Sequence, residues 1–122
     1  MDNPSELSVV YKAFQMSWGP GGYVSGFVDW GPKGYANTQR NLARLGLTPE
    51  GAWELAVDFV RQGGQITQRT EKRREYCDRE YYYRVVFPFD GVPRGIFVEL
   101  VVVQDDPDDP IVHIVNAHPQ GV

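Results

Sequence analysis

The sequence predicts an α+β domain, with two or three N-terminal helices packed on one face of a C-terminal antiparallel sheet of three to five strands. Three observations carry this reading. Apolar residues recur with a helical period in the first half, as at Leu7, Val10, Tyr11 and Phe14. The second half changes to runs of aromatic and β-branched residues, of which Tyr81–Phe89 is the clearest. The turns between those runs are short, which suits antiparallel hairpins rather than crossover helices.

Residues 4–17 read as the first helix, capped by Ser5 or Asn3 and stopped by Gly19-Pro20-Gly21-Gly22. Tyr23 to Trp30 is read as a short strand, and Gly31-Pro32-Lys33-Gly34 as a turn. A second helix is expected over about 38–45, with Asn37 as its cap and Leu42 and Leu45 buried. Gly46 stands where a helix C-terminus favours a left-handed residue. Thr48 is then the N-cap of a third helix over about 49–62, and Pro49 fits its first position, where a missing N–H costs nothing. Ala52, Leu55, Ala56 and Phe59 form its apolar stripe. Trp53, Val57 and Val60 widen that stripe into a surface suited to lie on a sheet. Gly63-Gly64 ends the helix.

Gln65 to Thr70 reads as a strand, and the charged residues 71–80 are assigned to no element. Tyr81–Phe89 is a strand, and Asp90-Gly91-Val92-Pro93 is a hairpin turn. Ile96 to Gln104 is apolar apart from Glu99 and a terminal Gln, as expected of a central strand buried on both faces. The prolines of Asp105-Asp106-Pro107-Asp108-Asp109-Pro110 cannot continue a ladder, so this segment is a turn before a last strand, Ile111 to Ala117.

At 122 residues and 42% hydrophobic content, the chain is long and apolar enough for one folded domain over 1–122. No apolar run approaches the roughly 20 residues needed to span a bilayer. The acidic, polar start and the single cysteine, Cys77, lead to the expectation of a cytoplasmic protein. The net charge of −4 argues against a nucleic-acid binder that works by bulk charge. The charge is uneven, however. Residues 61–84 hold seven basic and four acidic side chains, whereas Asp105, Asp106, Asp108 and Asp109 form an acidic turn. The basic segment is either a binding face or a solvated charged hairpin. Neither a metal site nor a cofactor is expected. One cysteine cannot start a zinc site, the acidic turn lacks the glycine and closing glutamate of a calcium loop, and Gly19-Pro20-Gly21-Gly22 lacks the Gly-Lys-Ser/Thr ending of a phosphate loop.

The order of several segments resembles the MqsR-type toxins of the RelE-like ribonuclease group. The matching segments are Arg40-Asn41, Leu45-Gly46-Leu47-Thr48, Tyr81-Tyr82-Tyr83-Arg84, Ile96-Phe97-Val98-Glu99-Leu100 and Asn116-Ala117-His118-Pro119. Together they cover roughly residues 5–120. The resemblance implies an α+β ribonuclease that works without a metal, with an antitoxin as protein partner. Two positions differ from the family pattern: its lysine on the penultimate strand aligns with Glu99, and the tyrosine before it aligns with Phe97 or has its role taken by another residue.

Metal-independent RNA cleavage needs a base for the 2′-OH, an acid for the leaving 5′-oxygen, and cations around the phosphorane. His118, just past the last strand, is the candidate acid or base; the other reading is a surface tail histidine. His113, mid-strand, reads as a face-forming residue. Being five residues apart, the two point to opposite faces unless the strand bends. Arg84 is a candidate phosphate ligand, or else a cross-strand ion-pair partner of Glu99 or Glu80. Tyr83 joins His118 and Arg84 as a catalytic candidate. Arg73, Arg74, Tyr81 and Tyr82 are candidates for RNA binding, with base stacking set against ordinary packing for the tyrosines.

The reading is therefore a diverged metal-independent RNA endonuclease-like toxin that cleaves by 2′-OH attack. Its rival is a non-enzymatic protein-binding module on the same scaffold. Net charge, Glu99, and the aromatics Trp18, Tyr23 and Trp30 support the rival. A basic cleft containing His118 favours the nuclease, and a uniformly acidic face the module.

Overall fold

The computed structural model describes residues 5–19, 22–23, 28–70 and 80–119. Its core element is a five-stranded sheet in the order β3-β7-β6-β5-β4, with β3 Val28–Trp30, β4 Thr67–Thr70, β5 Tyr81–Phe89, β6 Val92–Gln104 and β7 Ile111–Pro119. A separate two-stranded ribbon pairs β1 Trp18–Gly19 with β2 Gly22–Tyr23. The helices are α1 Glu6–Met16, α2 Pro32–Leu42 and α3 Pro49–Arg61, with a 3-10 turn at Ala43–Leu45. All three helices contribute to a core on one face of the sheet. Val10, Phe14, Leu42, Trp53 and Val57 meet Tyr83, Val85, Ile96, Val98, Leu100 and Ile114 there, each nearly or fully buried. Phe14 and Trp53 join α1 to α3 with ring centroids 4.6 Å apart.

The expected caps of α1 and α3 are present. Ser5 accepts from the Ser8 N–H at 3.2 Å, and Thr48 accepts from the Gly51 N–H at 3.0 Å. Gly46 has the left-handed conformation, with φ 67°.

Three features depart from the sequence reading. First, α2 starts at Pro32, not near 38, and Asn37 lies inside it rather than capping it. Gly31 is the extended N-cap residue, and the proline at the head of α2 fits a helix start because its φ is already helical. What reads as a Gly-Pro-Lys-Gly turn is therefore a helix start. Second, the sheet is mixed, because β3 pairs in parallel with β7 through Val28↔Val112, Asp29↔His113 and Trp30↔Ile114. The other three strand pairs are antiparallel. Third, the β5–β6 turn is only Asp90-Gly91, and β6 begins at Val92. Its ladder with β5 is irregular between Phe87 and Phe89, next to Gly95, whose φ is 78°. That irregularity lets the exposed Pro88 and Pro93 sit within strands without costing regular ladder bonds.

The last strand carries a second bulge. Glu99 faces Asn116, but Leu100 faces Ile114, so Val115 is skipped. As a result His118 pairs with Phe97 and His113 with Val101. Those partners are four residues apart on β6, so both histidines lie on the face turned away from the helices. This is the bend the sequence reading required for the two to share a face.

β3 pairs with β7 only over Val112–Ile114, and α2 continues the cover beyond it. The Asn41 side chain donates to the Ala117 carbonyl at 3.1 Å. Gly34 lets the helix come close: a Cβ there would lie 2.8 Å from the Ile114 oxygen and 3.2 Å from that of Val115. Gly34→Val is therefore expected to force α2 off β7 and destabilise the fold by about 1–3 kcal/mol. Urea denaturation of the two proteins checks this.

Candidate functional site

A cleft of about 820 Å³ opens where three pieces of the chain converge. Arg40 and Asn41 at the end of α2 and Arg44 and Leu45 of the 3-10 turn form one wall. The β5–β6 hairpin supplies Gly91, Val92, Pro93 and Arg94, and the end of β7 supplies Asn116, His118 and Pro119. Each wall follows from local sequence. Arg40 and Arg44 are four residues apart, so they stack along one side of the helix end. The tight turn and the irregular ladder after it bring Arg94 to the rim. Skipping Val115 sets the register that places Asn116 opposite Glu99 and His118 opposite Phe97.

The described lining carries three arginines and one histidine but no carboxylate. On a chain of net charge −4, this is a local concentration of positive charge. The cleft is also structured within. The Asn41 amide donates to Asn116 Oδ1 at 3.0 Å as well as to the Ala117 carbonyl, tying α2 to β7 inside the cleft.

His118 is half-buried and held from two sides. Its ring stacks on Phe97, with centroids 5.0 Å apart and planes 29° apart. Its Nδ1 lies 3.0 Å from the Pro119 carbonyl oxygen. A carbonyl can only accept, so Nδ1 carries a proton, and whenever the ring is uncharged the lone pair is on Nε2. The Arg84 guanidinium lies over the other end of this stack, 5.8 Å from the Phe97 ring centre. Arg84 also faces Glu99 across the β5–β6 ladder. Two of the three expected catalytic residues, His118 and Arg84, thus share a face through Phe97.

The third does not join them. Tyr83 is fully buried on the helix side of the sheet. Its hydroxyl donates to Glu6 Oε1 at 3.0 Å and accepts from the Gln68 amide at 3.0 Å. Burial pushes its phenol above the ordinary value, and the Glu6 carboxylate adds to this against the Gln68 bond. Tyr81 packs beside the core on the same side, while Tyr82 alternates to the other. Both are half-buried, and neither lines the cleft. Arg73 and Arg74 lie outside the described residues, as does Cys77. His113 is apart from the cleft lining, where its Nδ1–H donates to the Asp29 carboxylate at 3.1 Å across the parallel β3–β7 pair.

No family model, curated protein or solved structure matches this chain. Among the described residues, no group of three or more His, Cys, Asp or Glu side chains could hold a metal ion. No helix among them is long and apolar enough to cross a membrane.

The arrangement has the charge to suit an extended polyanion and would present the Nε2 side of an imidazole to it. Arg40, Arg44 and Arg94 are not among the site residues the sequence predicts, whose basic members, Arg73, Arg74 and Arg84, fall within 61–84. The spacing of Arg40 and Arg44 at a helix end was the available signal. If these arginines hold phosphates, Arg94→Ala should weaken single-stranded RNA binding roughly tenfold and lower the slope of log affinity against log salt by about 0.7. Fluorescence anisotropy across a salt series measures both.

Proposed function

We propose that the protein is a metal-independent endoribonuclease of the RelE-like, MqsR-type toxin kind, and that the arginine-lined cleft is its active site. The observation that supports this most is the presence of His118 in a cleft with three arginines and no described carboxylate. His118 Nε2 takes the 2′-OH proton of the bound nucleotide. The alkoxide attacks the adjacent phosphorus, the P–O5′ bond breaks, and the 5′-oxygen leaves with a proton taken from solvent water, giving a 2′,3′-cyclic phosphate and a 5′-hydroxyl. Arg40, Arg44 and Arg94 hold the chain and offset the extra negative charge of the phosphorane. Phe97 keeps the imidazole oriented in the position where the family pattern has a tyrosine. Arg84, stacked beyond Phe97, places a further cation on the same face. A cytoplasmic location and an antitoxin partner belong to the same reading.

Purified protein in excess EDTA should cut a labelled RNA and leave 2′,3′-cyclic phosphate ends. No cutting of several RNAs by well-folded protein would remove the proposal and favour the protein-binding module.

A further inference from the structure

The hydrogen bonds inside the cleft fix the orientation of two side-chain amides. The Ala117 carbonyl can only accept, so the atom of Asn41 facing it at 3.1 Å is Nδ2. Nδ2 also lies 3.0 Å from the side chain of Asn116 and can only donate there, so the Asn116 atom facing it is Oδ1. Both Nδ2 hydrogens of Asn41 are thereby used. What remains is a defined pair of groups: an acceptor, Asn41 Oδ1, and a donor, Asn116 Nδ2. Neither has a protein partner among the described residues, and both residues line the cleft beside Arg40, Arg44 and His118. Both side chains are half-buried, so their orientation is held while they stay accessible.

We propose that the Asn41–Asn116 pair reads the edge of one unpaired nucleobase, and so gives the cleft a sequence preference at a single nucleotide. An adjacent donor and acceptor is what a base edge presents in complement, and side-chain amides read bases in this bidentate manner. The surrounding arginines fix the backbone without sequence information, whereas the amide pair supplies it. The base is held next to His118, so the preference falls at the cleavage site. In this form the inference rests on the nuclease reading; base-selective binding is its part that stands without cleavage.

Asn116→Asp is the diagnostic variant. Its carboxylate still accepts from Asn41, so the tie between α2 and β7 survives, but the outward donor becomes an acceptor. Anisotropy is measured with four short single-stranded RNAs that differ at one central base, and cleavage sites are mapped on a long RNA. The parent protein should favour one base by roughly tenfold or more. Asn116→Asp should abolish or redirect that preference, in binding and in the mapped sites alike. The added negative charge lowers affinity for all four RNAs together, so the ratio between bases is the readout. A parent protein that binds all four equally, or a variant that keeps the parent's ratio while binding more weakly, would overturn the proposal. Base-selective binding lost in the variant, with no cleavage by either protein, would sustain the reader and remove the nuclease.

Discussion

His118→Ala is expected to lower metal-free RNA cleavage by about 10²- to 10⁴-fold, the usual contribution of a positioned general base or acid. The size follows from what the cleft contains. Its other charged lining groups are arginines, which stay protonated and cannot exchange a proton with a 2′-OH. His118 is the one described lining residue whose side-chain type suits proton transfer, and its Nδ1 bond to the Pro119 carbonyl leaves Nε2 facing away from that bond. Removing the imidazole should leave RNA binding within a few-fold, because the three arginines remain. His118→Gln provides the second arm. It keeps a polar side chain against Phe97 but no base, so it should be as inactive as alanine while matching the parent protein in thermal stability. Equal cleavage by parent and both variants would show that the chemistry lies elsewhere. Inactivity accompanied by loss of the folded state would be judged on the glutamine variant.

The residues that decide local structure were legible, and those that meet only through tertiary contact were not. Thr48, Pro49 and Gly46 act through their own backbone neighbours, and their roles hold in the structure. The strand Tyr81–Phe89 matches its expected ends, because an aromatic and β-branched run bounded by Asp-Gly has little alternative. The head of α2 was misread because proline and glycine serve equally as turn residues and as a helix start. Only the packing of Gly34 against β7 shows which role applies. The parallel β3–β7 pair was hidden for a similar reason: it joins residues 28–30 to 112–114, and nothing local marks such a partner.

The site shows the same division. His118 was found from chemistry, because few residues titrate near neutrality. Arg84 was found from its place in a clear strand. Their connection depends on Phe97, which stacks on one and lies beneath the other, and such stacking is set by register rather than composition. The skipped Val115 that sets this register has no sequence signal of its own. The cleft arginines come from a helix end and a hairpin some fifty residues apart. Each looks like an ordinary solvated charge until the fold brings them together.

Tyr83 offers the sharpest separation of structural from catalytic roles. Tyr83→Ala should destabilise the protein by about 3–5 kcal/mol, as for other large buried aromatics, because the ring fills space between β5 and the helices. Tyr83→Phe keeps the ring and removes only the hydroxyl, so the loss should be about 1 kcal/mol; Glu6 and Gln68 are partly or well exposed and water can replace their lost partner. The phenol also leaves a pH signature. Its folded value is raised above the ordinary 10.0 by burial, so below pH 10 the neutral form is present in both states and the stabilisation is complete. Above pH 10 the unfolded chain releases this proton while the folded protein keeps it. Stability then falls, by up to about 1.4 kcal/mol for each further unit of pH until the raised folded value is passed. Tyr83→Phe removes that contribution, so the gap between parent and variant should narrow and then reverse as the solution becomes strongly alkaline. Urea unfolding at a series of pH values from 8 upward measures this. RNA cleavage at neutral pH and low temperature, where the phenylalanine variant stays folded, completes the comparison. Retained cleavage places Tyr83 in the core alone. A variant that matches the parent in stability and pH response but no longer cleaves would return the hydroxyl to the chemistry.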